Sequence, residues 1–233
     1  MDRALTRLAV PLCFGLITAI ALTGPGRAQD AAESLGLYAA QIFRPPRPAW
    51  TGYGVYLGNG YVITAAHVAG LSLWGEVQVE IGHKNLAATI LKRGQFHAVD
   101  LTLLSVDEQG LPVSLRLRRM TVCKNSPWPG EEVVVATPEG VGRSHVISQF
   151  MLPLGLPANY QTAISDAATT GNSGSGVFDA HIKCLLGIIS GVIRGQDWTR
   201  QEDGHRVAET RDLAKYFVPS STIAAFISSD VHF

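Results

Sequence analysis

From Gly52 onward the chain is a succession of short β-rich runs, and this pattern limits its fold more than any other feature. The runs fall at 53–57, 61–66, 76–81, 86–92 and 101–106, with turns such as Gly58-Asn59-Gly60 between them. A connecting segment at 107–119 precedes a second set at 132–136, 144–150, 162–164, 176–179, 184–193 and 214–218. Runs this short, bounded by Gly and Asn, are the signature of antiparallel strands. The chain is therefore expected to be all-β, with two successive halves at about 51–115 and 116–233. Helix is expected at the C-terminus, where Ser220 or Ser221 follows Pro219 as a cap and apolar residues recur at helical spacing through Ile227. The Arg116-Leu117-Arg118-Arg119 cluster reads as a strand with a solvated face rather than as a basic patch.

Residues 1–28 read as a secretory signal and not as part of the fold. Arg3 and Arg7 give a basic start, Leu8 to Leu22 is an apolar core, and Gly26-Arg27-Ala28 supplies small residues at a cleavage point. A membrane anchor is the alternative, but the run is interrupted by Pro11 and Gly15 and falls short of the roughly 20 residues a span needs. Leu12 stands where a lipoprotein box before Cys13 would need a small residue. Residues 29–50 form an N-terminal arm in which Arg44-Pro45-Pro46-Arg47-Pro48 forbids regular structure. Removing Arg3, Arg7, Arg27 and Asp2 from the 19 basic and 19 acidic residues leaves a slightly acidic mature chain. Nothing in that balance points to nucleic acid as a partner. Two cysteines remain after cleavage, Cys123 and Cys184, in an export context where disulfides persist; pairing is expected, with two buried free thiols as the alternative.

The candidate chemistry lies in three segments. Thr169-Thr170-Gly171-Asn172-Ser173-Gly174-Ser175-Gly176-Val177-Phe178 places a serine between glycines at a tight turn before a strand. Such a turn leaves the hydroxyl unobstructed and lets backbone N–H groups converge as an oxyanion hole. Val62-Ile63-Thr64-Ala65-Ala66-His67-Val68 delivers a histidine at the end of an apolar run, and Val99-Asp100-Leu101-Thr102-Leu103-Leu104 presents one aspartate at the mouth of a strand. A serine hydroxyl needs a base to remove its proton, and the base needs an anion to fix its tautomer and stabilise its cation.

These segments resemble, in order, the TAAH histidine motif, the aspartate motif and the G-[DN]-S-G serine motif of the chymotrypsin/trypsin-like serine proteases. The details are most similar to the bacterial branch of glutamyl endopeptidases and HtrA protease domains, over roughly Tyr53 to Phe226. The resemblance implies two packed six-stranded antiparallel β-barrels with a short C-terminal helix. About 205 mature residues accommodate that one domain, with no room for a PDZ module. It implies His67, Asp100 and Ser173 as the catalytic residues, the N–H groups of Gly171 and Ser173 as the oxyanion hole, and Ser190 behind the aspartate. Cys123 and Cys184 would lie in the second barrel.

The family pattern places the nucleophile at Ser173 rather than at Ser175. An α/β-hydrolase elbow fails on both tests, since Ser175 stands where its second glycine belongs and the order of the three residues is wrong. The resemblance also bears on regulation: Asn172 cannot make the ion pair by which zymogen members are activated, so signal removal alone is expected to give a competent enzyme. For substrate binding it implicates Ala167, Ala168, Ile189, Ser190 and Gly191, hence a small to medium apolar side chain, although Asp166 would reverse this if the alignment slipped by one residue. The Arg194 to Asp212 stretch is either a rim of the cleft or a solvated connection. His83, His97, His145, His181, His205 and His232 show no metal-ligand spacing, and no cofactor or metal is expected. The expected function is a secreted serine endopeptidase, periplasmic or extracellular and monomeric, acting on polypeptides through an acyl-enzyme. The competing reading is a catalytically inactive binding protein on the same scaffold.

Overall fold

A computed structural model describes residues 32–44, 50–70, 76–156, 162–165, 173–200 and 205–227. Residues 1–28, expected from the sequence to be a signal, and residues 166–172 lie outside these. Among the described residues, twelve strands form two closed six-stranded barrels. The first holds β1 (Ala39–Phe43), β2 (Trp50–Gly58), β3 (Tyr61–Thr64), β4 (Val77–Ile81), β5 (Lys84–Arg93) and β6 (Thr102–Val106), in the order β1-β2-β3-β6-β5-β4. The second holds β7 (Glu132–Thr137), β8 (Gly140–Ile147), β9 (Ala163–Ile164), β10 (Gly176–Asp179), β11 (Leu185–Arg200) and β12 (Arg206–Pro219), in the order β10-β11-β12-β9-β8-β7. Within each barrel closure removes open edges, which is what lets short strands form a stable unit.

The period-two pattern explains the inward faces. In β4, Val77, Val79 and Ile81 are buried while Gln78 and Glu80 between them are partly exposed. The largest core cluster fills the first barrel and continues across the interface into Val134, Ala136, Phe178, Leu185 and Ile188 of the second. The interior of the second barrel is divided between two smaller clusters, one around Val133, Val177, Ile189 and Phe217, the other around Ala163, Ile193, Ala214 and Tyr216.

Cys123 and Cys184 are joined by a disulfide with Cα atoms 5.1 Å apart. Cys123 lies on the inter-barrel connection, where the neighbouring Val122 bridges to Leu185 of β11, so the bond staples that connection to the second barrel. The helix α3 (Ser220–Ile227) closes the described chain, with Ile223 and Ile227 buried.

Four expectations need correction. The arm at 29–50 contains β1, which pairs with both β2 and β4 and completes the first barrel. The run at 61–66 ends at Thr64, and Ala66–Ala69 forms the short helix α1. The Arg116 cluster is no strand: Val113–Arg116 is the short helix α2, after which Leu117 stands exposed. The stretch from Arg194 to Asp212 is neither rim loop nor solvated connection over most of its length, because β11 and β12 continue through it as a paired ribbon.

Candidate active site

The first barrel supplies two of the three candidate side chains. His67 sits on α1, directly after β3, and Asp100 lies just before β6, the neighbour of β3. Asp100 holds the histidine twice. Its Oδ1 accepts from the His67 main-chain amide at 3.0 Å, and its Oδ2 is 2.8 Å from Nδ1 of the ring. With a carboxylate as partner, Nδ1 carries the proton and Nε2 keeps its lone pair. The carboxylate is only 3% exposed, whereas the imidazole is 32% exposed.

Ser190 on β11 donates its hydroxyl to Oδ2 of Asp100, and Tyr216 on β12 stands 3.2 Å from the same hydroxyl. A buried carboxylate is costly unless its lone pairs are filled. Here three donors from both barrels fill them: the His67 amide, the His67 ring and Ser190.

Ser173 enters from the second barrel on the turn before β10, clasped by the first barrel. The Tyr53 amide donates to the Ser173 carbonyl at 2.9 Å, and the Gly174 amide donates to Ile189 at 2.7 Å. Gly174 has φ +90°, and a Cβ there would lie 1.9 Å from the Tyr53 carbonyl oxygen. Glycine is thus demanded twice, by conformation and by space. Gly52 is likewise closed in, since a Cβ there would meet the Ser173 carbonyl oxygen at 2.6 Å and Val68 at 2.7 Å. Val68 follows His67 in sequence, so one glycine of β2 separates the histidine helix from the serine turn.

The Ser173 hydroxyl rests on the carbonyl of Ser190 at 3.2 Å. Among the described residues Nε2 of His67 has no hydrogen-bond partner. Ser175 is fully buried and its hydroxyl has no partner among the described residues, out of reach of any substrate.

Of the residues expected to bind substrate, Ile189 is packed in the second barrel's core, Ser190 is spent on Asp100, and Gly191 is half-buried. A Cβ on Gly191 would meet the Tyr216 ring at 2.6 Å, so that ring lies directly beneath it. Ala167, Ala168, Gly171 and Asn172 lie outside the described residues. Sequence reasoning missed Tyr216 and Phe96. The Phe96 ring stands edge-on to His67, centroids 5.1 Å apart, and shields one side of the imidazole. No motif marks either; Tyr216 was detectable only through its register opposite Gly191. A cleft of about 600 Å³ lined by Glu33, Leu37, Glu80, Pro112 and Glu139 includes none of the three candidate side chains.

Solved structures similar to this chain include proteases. The active form of the Rv3671c protease from M. tuberculosis is 16% identical with TM-score 0.59, over 95% of this chain and 93% of that one. A serine endoprotease from Yersinia pestis is 16% identical with TM-score 0.57, over 86% of this chain and 65% of that one. Kallikrein-related peptidase 10, in complex with Zn2+, is 15% identical with TM-score 0.61, over 84% and 96%. At these identities the likeness is one of fold. Among curated protein sequences none matches this chain. The sequence model of the trypsin-like peptidase domain matches residues 52–188, more than half of the chain and including all three candidate side chains, and on that ground the chain belongs to the trypsin-like peptidase family.

Proposed function

We propose that this chain is an exported serine endopeptidase that cleaves polypeptides through an acyl-enzyme, with Ser173 as nucleophile, His67 as base and Asp100 as its orienting anion. The observation that carries this reading is the double hold of Asp100 on His67, which leaves Nε2 of the partly exposed imidazole as the acceptor. In the first half-reaction the Ser173 Oγ–carbonyl bond forms while its proton passes to Nε2. The peptide C–N bond then breaks and that proton goes to the leaving amine. In the second, water gives a proton to Nε2 as its oxygen bonds the acyl carbon; the acyl carbon–Oγ bond then breaks, and the proton passes from Nε2 to Oγ to restore Ser173. The N–H groups of Gly171 and Ser173 hold the oxyanion. Asn172 leaves activation by signal removal alone as the expected route. The Cys123–Cys184 disulfide supports an exported, periplasmic or extracellular enzyme. Tyr216 beneath Gly191, together with Ala167 and Ala168, favours a small to medium apolar side chain at the cleaved bond.

A second reading, an inactive binding protein on this scaffold, has one observation in its favour: Ser173 bonds the Ser190 carbonyl and not the imidazole. The two readings separate on one experiment. The mature protein, 29–233, is treated with a fluorophosphonate probe and the labelled residue mapped. Labelling at Ser173 that vanishes in Ser173→Ala, together with cleavage of a protein substrate, supports the peptidase; a folded protein that stays unlabelled supports the inactive scaffold.

A further inference from the structure

The most exposed apolar side chains gather at one end of the second barrel. Strand register defines that end: Glu132 of β7 stands opposite His145 of β8, Val133 opposite Asp179 of β10, and Phe178 of β10 opposite Leu185 at the start of β11. Three segments meet there: the turn before β7, the loop after β8, and the turn between β10 and β11. The first carries Trp128, the second Phe150, Met151 and Leu154, the third Ile182. These are five of the six most exposed large apolar side chains among the described residues. Single apolar residues scattered over a surface are ordinary, whereas a gathering of this kind marks a contact with a partner.

The segments that carry these tips are held in place. The Gly130 amide donates to the Val146 carbonyl at 2.7 Å, which ties the Trp128 turn to the end of β8. Asp179 accepts the amides of His181 and Ile182 at 2.6 and 2.7 Å. Its side chain stands beside that of Glu131, which accepts the Trp128 amide. The Cys123–Cys184 disulfide fastens the same two segments to each other, and Pro127, Pro129 and Pro153 stiffen the chain around Trp128 and Leu154. A surface already formed loses little freedom on binding.

Three features select the partner. The side chains stand out from separate turns around a barrel end, and none of the five lines the cleft of about 600 Å³. Protruding tips of this kind offer no groove to a peptide and no flat face to a folded protein. From Val146 to Ser165, twenty residues, there is no Asp, Glu, Lys or Arg, so the loop that projects Phe150 and Leu154 carries no charge into an apolar phase. Around the tips, Glu132 is paired with Arg143 at 2.6 Å and Glu131 is buried, while exposed Lys124 adds a cation suited to anionic headgroups. An indole on such a rim matches the depth at which tryptophan sits in membranes.

We propose that this end of the second barrel is a membrane-docking surface, on which Trp128, Phe150, Met151, Leu154 and Ile182 seat in the interfacial layer of a lipid bilayer. No described helix is long and apolar enough to cross a membrane, so the docking is peripheral. Ser173 precedes β10 and the Ile182 turn follows it, which places the candidate nucleophile at the far end of that strand. The docked molecule thus keeps its candidate active site in water, whether or not that site is a peptidase.

The test uses residues 29–233, which contain every described residue, so that the apolar segment at 8–22 takes no part in binding. Sedimentation is measured with unilamellar vesicles of phosphatidylcholine, alone and mixed with phosphatidylglycerol, at low and high salt. The protein should bind both, more tightly with phosphatidylglycerol, and should stay bound at high salt. Changing Phe150, Met151 and Leu154 together to Ser should weaken the apparent affinity at least about tenfold and leave thermal unfolding unchanged, because all three side chains are exposed. A second readout needs no loop change: lipids brominated near the headgroup should quench tryptophan fluorescence, and Trp128→Phe should abolish most of that quenching. Absence of binding to either vesicle overturns the proposal. So does binding seen only on the anionic vesicles and lost in salt, which is adsorption by charge, or binding that the triple variant retains. A dimer in light scattering without lipid, abolished by the triple variant, would assign this face to a second copy of the chain and overturn it likewise.

Discussion

The two barrels share a strand count but are stabilised differently. The first is filled by one core cluster that runs on into the interface, and its buried carboxylate, Asp100, is met by three donors. The second has its interior split in two, a disulfide beside one of the parts, and a buried carboxylate, Glu131, in poorer surroundings. The first barrel is thus built as a rigid mount for the proposed base. The second carries the proposed nucleophile on a turn fixed largely from outside, by Tyr53 and by the lack of space at Gly174. Changes in the first barrel's polar site should accordingly alter chemistry more than stability, and changes at the second barrel's staple should do the reverse.

The largest effect tests the first half of that contrast. Asp100→Asn keeps an acceptor for the His67 amide but turns a donor toward Nδ1, so the ring adopts the other tautomer and Nε2 no longer accepts a proton. A fall in kcat of about 10⁴ is expected, with thermal unfolding little changed. Steady-state kinetics with calorimetry on the same samples checks both parts. A variant that loses most of its stability would show that Asp100 holds the barrel together and does not merely orient the histidine.

Next in size is the staple. Cys123→Ser with Cys184→Ser opens a link between residues 61 apart in sequence, for which loop-closure entropy gives about 4 kcal/mol. Hydrogen exchange should show protection lost first in β10 and β11 while β3 and β6 keep theirs, and the folded fraction should retain its activity. Equal loss in both barrels would mean that they unfold as one unit, and the contrast drawn above would fail.

How much of this was legible in the sequence follows the same division. His67, Asp100, Ser173 and Ser190 were readable because each sits in a motif whose chemistry admits few residue types, and the structure brings His67, Asp100 and Ser190 into contact, with Ser173 on the Ser190 carbonyl. β1 was missed because its five residues precede a proline-rich stretch that reads as an arm, and its two partner strands are remote in sequence. The ribbon was missed for a different reason. Its outer residues are mostly polar, with Trp198 and the adjacent Val207-Ala208 the only apolar ones, so no hydrophobic alternation marks them as strand, and their pairing comes from the continuation of a hairpin rooted in the barrel. Tyr216 and Phe96 act through packing against a site residue, which spacing along the chain does not encode.

The smallest expected effect concerns the two buried carboxylates. Glu131 is 5% exposed and accepts one bond from the Trp128 amide at 3.0 Å. Burial raises its pKa above the ordinary carboxylate value; the Trp128 amide opposes the shift, and the Asp179 side chain beside it adds to it. The folded state therefore holds a proton that the unfolded chain releases in the window between the ordinary value and the raised one. Stability from this group is fully present below the ordinary value and is lost as pH rises through that window. In Glu131→Gln the amide still accepts from Trp128 and donates to Asp179 without ionising. The Tm of the variant should exceed that of the wild type at pH 7, and the difference should shrink toward zero at pH 4. A difference that is the same at both pH values would mean that packing, and not ionisation, distinguishes Glu131 from Asp100. The second barrel would then owe its weaker build to its divided core alone.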